Sequence, residues 1–324
     1  MYLGESHRRT ARHTLTDLSP TADDLYITDV PGKGKGIIAL RYFQRGETVL
    51  AEPPLFTQGL VRSAASVRAA LAQCPPEAQH AFWELHNCHP ARGSALGTFE
   101  TNVLPCGAND AHGRVAPRGG VFATAARLNH GCAPNVNNAW DAARGVLVLR
   151  ALRDIAAGEE LTLGYGALLA RREDRRAELR AKFGFECACE VCVLEGKARA
   201  ASDARRECLA ALYGAHLQGA YGDPFDGVGE AALALRLLRE EGLPVYESSF
   251  CYSGFHCCAA VSDYVSAKAW AVKAFEASRA AFGEEHASYW KGLVANPNSY
   301  ADAGSLGRRT LAGPDSPLWS VLGF

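Results

Sequence analysis

Three cysteines fall within six residues, Cys187-Ala188-Cys189-Glu190-Val191-Cys192, just after a charged stretch from Arg171 to Lys182. This C-x-C-x2-C spacing lets one loop offer three thiolates to a zinc ion, which wants four ligands in tetrahedral array. Buried cysteines are common in cores, but three at this density behind a charged helix are unlike a core pattern. The fourth ligand must come from elsewhere, and spacing leaves several candidates among the eleven cysteines of the 324-residue chain. The count is odd and the distribution uneven, with Cys257 and Cys258 adjacent, so a secreted disulfide framework is not indicated. The cluster reads as metal-binding thiolates in a reducing cytoplasm or nucleus.

The formal net charge of −1 argues against direct nucleic-acid binding, which needs clustered Lys and Arg. No run approaches the roughly 18 apolar residues of a membrane-spanning helix. Residues 1–22 carry Arg8, Arg9 and Arg12 without an apolar core, and read as a flexible tail rather than a secretory signal.

Short strand-like runs, Leu25 to Ile27, Gly36 to Leu40 and Thr48 to Glu52, are separated by Pro31-Gly32 and Arg45-Gly46. They predict a small β-meander that ends at Pro53-Pro54. Residues 61–97 change to helical spacing, with Pro75-Pro76 opening a second helix. Strand-like runs resume at Val121-Phe122 and Gly145 to Leu149. Past Gly196 the pattern is helical over 203–219, 228–241, 250–281 and 285–294, with Trp270, Phe275, Ala277 and Ala281 suited to one buried face. Beyond Pro297 the chain is expected to be irregular, docked by Leu318, Trp319 and Leu322.

Taken in order, four blocks carry more than any one does alone. They are Lys33-Gly34-Lys35-Gly36, the stretch Asn129-His130-Gly131-Cys132-Ala133-Pro134-Asn135, the run from Gly158-Glu159-Glu160-Leu161-Thr162 to Tyr165, and Phe183-Gly184-Phe185 leading into the cysteines. Together they resemble the SET-domain protein lysine methyltransferases, in particular the SET-and-MYND (SMYD) branch and its fungal relatives. The resemblance covers about 24–60 and 98–195.

It implies an α+β fold: a SET β-fold with a pseudoknot over 23–182, a helical insertion at about 61–97, a zinc-binding post-SET segment at 183–196, and an all-α, tetratricopeptide-like domain over 197–324. It implies S-adenosylmethionine as cofactor. Lys33, Gly34, Lys35 and Gly36 would approach its carboxylate end, and Asn102, Ala126, Asn129 and His130 would contact it. Phe185 would stack on the adenine, and Phe183 would line the same pocket. Tyr165 would stand at the junction with the substrate channel as the catalytic residue. Cys132 would complete the zinc site with Cys187, Cys189 and Cys192, clasping the segment after Tyr165 onto the 129–135 loop.

The implied reaction is methyl transfer to a lysine amine of a protein substrate. Two alternatives are a catalytically weak SET scaffold that binds protein partners through its helical part, and a SET fold redirected to a small molecule. Two departures from the family stand out. Gly131 occupies a position where this branch often has serine, and no MYND zinc finger is present, since Cys74, Cys88 and Cys106 are isolated. The group His86-Asn87-Cys88-His89 reads as polar residues at a helix end. Nothing in the sequence specifies an oligomeric state.

Overall fold

The computed structural model describes residues 24–107 and 116–322; the expected tail over 1–22 lies outside the described residues. Strands β1 (Leu25–Val30), β2 (Gly34–Ala39) and β3 (Thr48–Glu52) form where expected but not as a meander: β1 pairs with β2, whereas β3 pairs with a later strand in a separate sheet. The chain then adds β4 (Phe56–Gly59), three helices α1 (Ala64–Leu71), α2 (Pro76–Trp83) and α3 (Ser94–Asn102), and β5 (Leu104–Cys106). Next come β6 (Arg118–Val121), the two-residue β7 (Asn129–His130), β8 (Val136–Asp141), β9 (Val146–Ala151) and β10 (Glu160–Leu163).

The strands make three small sheets, ordered β1-β2-β10-β7, β3-β9-β8 and β4-β6-β5. In β10, Leu161 and Leu163 turn into the core while Glu160 and Thr162 face the other way, the period-two alternation of a half-buried strand. The core between the sheets holds Ile37, Phe43, Val49, Phe122, Leu149, Ile155 and Leu161. One pairing matters most for function. Strand β10 pairs antiparallel with β2 through Glu160–Ile38 and Leu161–Ile37, and parallel with β7 through Thr162–Asn129 and Leu163–His130. Three of the four sequence blocks thereby become neighbours on one sheet.

Helix α4 (Arg172–Phe183) ends at Gly184, whose φ of 75° is the left-handed cap that glycine adopts without strain. Beyond the cysteine loop lie α5 (Gly196–Leu217), α6 (Pro224–Glu241), α7 (Glu247–Ala260), α8 (Tyr264–Phe282), α9 (Glu284–Ala295) and the short α10 (Leu318–Leu322). The segment expected as one helix over 250–281 is two. Ser262 sits at φ 60°, and the Asp263 carboxylate accepts from Ser266 N to start α8, as an N-cap aspartate does. Gly254 lets α7 approach the Trp270 indole, since a Cβ there would lie 2.4 Å from the ring. The Trp270 Nε1–H donates to Ala312 O at 2.9 Å and Trp319 is buried, so the C-terminal segment is docked by Trp319, while Leu318 and Leu322, also expected to dock it, are exposed.

The helical region joins the sheets at several places, among them the Arg45–Glu247 ion pair and the following two. Asn137 Nδ2 donates to Ala281 O at 3.0 Å, at the end of α8. Deeper, Arg206 of α5 has no exposed surface and pairs through Nε with Glu241 at 2.7 Å. Its remaining N–H groups donate to Leu168 O and to Cys132 O. One buried guanidinium thus ties α5 and α6 to the loop that carries a candidate metal ligand.

Candidate active site

The walls of the site are built where β2, β10 and β7 meet. Gly36 lies against Asn129, and a Cβ on it would come within 2.6 Å of Val30 Cγ2 and 2.8 Å of Asn129 Nδ2. Asn129 Nδ2 donates to Lys35 O at 3.1 Å and to Glu160 Oε1 at 2.9 Å. The other oxygen of Glu160 receives Lys33 Nζ at 2.6 Å. Glu160 therefore orients two candidate cofactor contacts at once.

The adjoining loop is pinned by Asn135, which is almost fully buried. Its Nδ2 donates to Glu159 Oε1 and Glu160 O, and its Oδ1 accepts from Thr162 N at 2.8 Å. Gly131 packs on Thr162, where a Cβ would lie 2.7 Å from Oγ1, so a serine here would force the strand to move. Ala126 is placed by Glu52, whose carboxylate accepts from Thr124 N and Ala125 N, both at 2.9 Å. Burial raises the pKa of Glu52 against the lowering effect of those backbone donors. Asn102 is held at the end of α3, with Nδ2 donating to His86 O and Thr98 O at 2.7 Å each.

The His130 ring lies between two other site residues. Its Nδ1 accepts from Tyr165 N at 3.1 Å, and its Nε2 is 3.2 Å from Cys132 Sγ. Burial pushes its pKa down to about 4, helped by Arg175 and Lys33. Tyr165 donates its hydroxyl to Leu128 O and stacks obliquely on Phe183, with ring centres 5.0 Å apart. Burial, with the charge of Glu160, raises the tyrosine pKa above its ordinary value.

Cys132, Cys187, Cys189 and Cys192 come together with all four sulfurs within 4.8 Å of one another. Cys132 Sγ is 4.0 Å from Cys187 Sγ and 3.5 Å from Cys192 Sγ. Zn–S bonds of about 2.3 Å in a tetrahedron would space the sulfurs about 3.8 Å apart, so the donor set fits zinc in both chemistry and size. Arg175, buried on the inner face of α4, donates through Nε to Cys132 Sγ at 3.2 Å and through Nη2 toward Cys192 Sγ at 3.8 Å. A cation beside a tetrathiolate offsets part of its excess negative charge.

Two cavities meet at this constellation. One, of about 680 Å³, is lined by Lys33, Gly34, Lys35, Asn102, Ala126, Asn129, His130, Tyr165, Phe183 and Phe185. Gly36 is absent from that lining; it acts from behind, as the place where Asn129 packs. The other, of about 610 Å³, lies between β8 and the helical region, lined by Asn137, Asn138 and Trp140 on one side and Ser248, Ser278, Phe282 and His286 on the other. Thr101, Asn102, Ala126, Leu128, Tyr165 and Phe183 border both. Both volumes lie in the range of about 300–1,000 Å³ typical of small-ligand sites.

Glu160, Glu52 and Arg175 escaped the sequence reading. Glu160 was visible inside a motif, but only the register of β10 against β2 and β7 gives it a task.

The SET domain family profile matches residues 34–166. Over 290 residues the chain is 31% identical to histone-lysine N-methyltransferase set5 of Schizosaccharomyces pombe, covering 88% of each. It is 41% identical over 78 residues to histone-lysine N-methyltransferase SMYD3 of Homo sapiens, covering 24% of this chain and 18% of that protein. Among solved structures, the SET domain of LSMT bound to lysine and AdoHcy aligns with 88% of this chain and 91% of its own, at 11% identity and a TM-score of 0.34.

Proposed function

The chain belongs to the SET-domain lysine methyltransferases, and from that premise we propose that it transfers a methyl group from S-adenosylmethionine to a lysine side chain of a histone or another protein. The observation that carries this reading is the meeting of two cavities at Tyr165. A cofactor in the larger one and a lysine entering through the other would approach each other there from different sides.

The residues present fit the cofactor. Lys33, the backbone of Gly34 and Lys35, and the side-chain amides of Asn102 and Asn129 would hold its amino-acid end; Phe183 and Phe185 supply faces for the adenine. Bound there, S-adenosylmethionine supplies a methyl group on a positively charged sulfur. The chain's own part is positioning, which can lower a barrier by about 7–11 kcal/mol when the reacting atoms are held in line. Leu128 O and the Tyr165 hydroxyl line the junction and orient the incoming amine. That amine is protonated in water below its pKa of about 10.4, and the junction between Leu128, Phe183 and Tyr165 favours the neutral, nucleophilic form by excluding water. Tyr165 serves to orient rather than to accept the proton, because a phenol with a raised pKa is a hydrogen-bond donor at neutral pH. Zinc would be held by Cys132, Cys187, Cys189 and Cys192 as a structural clasp with no open position.

We further read residues 23–182 as the SET unit with its insertion at 61–97, 183–196 as the post-SET segment and 197–324 as the helical domain. The parallel β7–β10 pair supports a threaded, pseudoknot-like passage of the 129–135 loop. The packing of each helix from α5 to α9 against the next supports the tetratricopeptide-like description. All eleven cysteines are free thiols, in keeping with the cytoplasm or nucleus, and among the described residues no helix is long and apolar enough to cross a membrane.

The test is transfer of a labelled methyl group to protein from cell extract, beside calorimetric titration of the cofactor. Label that disappears with Tyr165→Phe while cofactor binding persists supports the proposal. Tight cofactor binding with no label on any protein fraction would favour the scaffold alternative instead.

A further inference from the structure

His130 has both ring nitrogens engaged inside the protein, and the two partners belong to different parts of the site. The Tyr165 N–H donates to Nδ1 at 3.1 Å, so Nδ1 carries no proton. A neutral imidazole must then carry its hydrogen on Nε2. That nitrogen lies 3.2 Å from Cys132 Sγ, which leaves the sulfur as acceptor. A sulfur bound to zinc is a thiolate and accepts more strongly than a thiol, because the acceptor is charged. Arg175 Nε, also at 3.2 Å, gives the same sulfur a second N–H donor. His130 is 6% exposed, and its ring centre lies 5.4 Å from that of Tyr165 and 6.3 Å from that of Phe185.

We propose that His130 is a positioning residue whose ring links the metal-bound sulfur of Cys132 to the backbone of Tyr165, so that the filled cysteine site sets where the tyrosine stands. This rests on the reading of Tyr165 as the residue at the methyl-transfer junction. It narrows the expectation that His130 contacts the cofactor. With both nitrogens occupied, any polar contact to the cofactor falls to its backbone.

The chain continues directly from the short β7, which carries His130, to Cys132, while Tyr165 follows β10. The ring thus adds a side-chain bridge beyond the two parallel-paired residues of that sheet. The bridge reaches the backbone of Tyr165, beyond the part of β10 held by β2 and Asn135. In-line transfer tolerates little displacement, and a shift of about 1 Å can cost about a hundredfold in rate.

The direct test is NMR on the full chain, with an NMR-active cadmium isotope in place of zinc and isotope-labelled histidine. The expected result is a scalar coupling between cadmium and the His130 Nε2 proton, with Nδ1 unprotonated. Cadmium couplings to the cysteine Cβ protons without any to His130 would overturn the proposal. A second arm uses His130→Phe, which keeps a ring and removes both nitrogens. Here kcat should fall about tenfold or more, the Tyr165 amide resonance should move, and metal content and cofactor Kd should hold. An unchanged kcat would refute the link, as would loss of the metal, which would make the ring a prop of the cysteine site alone. If the variant fails to fold, the cadmium spectrum of the unaltered chain decides. A coupling seen in a chain without methyl-transfer activity would sink the proposed function and leave the link standing; activity without the coupling would do the reverse.

Discussion

Replacing Glu241 by alanine should be among the most damaging single changes outside the site. The carboxylate receives Arg206 Nε at 2.7 Å, Ser202 Oγ at 2.7 Å and Arg205 Nε at 2.6 Å, with Glu241 4% exposed and Arg206 fully buried. Removing it leaves a buried guanidinium facing only the carbonyls of Leu168, Cys132 and Glu241 itself. Breaking a buried pair in this way costs about 3–5 kcal/mol. Glu241→Gln, which keeps the shape, should recover only part of that. Arg206→Leu strands the Leu168 and Cys132 carbonyls at about 1–3 kcal/mol each, besides leaving the carboxylate short of a partner. The double variant should then be less destabilised than the sum of the singles by about 1–3 kcal/mol. Urea unfolding followed by tryptophan fluorescence and by circular dichroism supplies the four values of the cycle. A Glu241→Ala variant within about 1 kcal/mol of the parent, or single effects that simply add, would refute the claim that this pair holds the helical region to the Cys132 loop.

Three further outcomes follow from the geometry. Gly36→Ala should weaken cofactor binding by at least about tenfold, roughly 1.4 kcal/mol, because the new methyl meets Val30 and Asn129 Nδ2; calorimetry with an unchanged Kd would contradict it. Cys192→Ser should lower the zinc content from about one per chain and loosen the loop after Phe185, checked by atomic spectroscopy and limited proteolysis. On the alkaline side, the raised Tyr165 pKa keeps the phenol neutral beyond its ordinary value of about 10. The rate should therefore climb with pH as the substrate amine loses its proton, and a descending limb centred below about 10 would argue against this placement of the tyrosine.

The blocks that make the site were legible because their chemistry is local: thiol spacing, turn glycines, the Asn-His pair. What they do to one another was not, because it depends on register between strands far apart in the chain. Asn129 and Glu160 meet only through the β2–β10–β7 arrangement, and β7 is too short to leave a periodic signature. Arg175 illustrates the same limit from another side. In a helix as charged as 171–182 it reads as solvated, yet it shares with Leu179 the face that turns onto the cysteines. The break between α7 and α8 was hidden because Ala- and aromatic-rich sequence runs through it, and only Ser262 and Asp263 mark the stop.

The smaller cavity takes one wall from β8 and the other from α7, α8 and α9, more than a hundred residues later in the chain. The groups proposed to handle the methyl donor lie on neither wall but within 33–35, 102, 126–130 and 165–185, while Ser248, Ser278, Phe282 and His286 belong to the second wall. A change confined to α7, α8 or α9 would therefore reshape the proposed substrate entrance without touching the residues proposed to hold the donor.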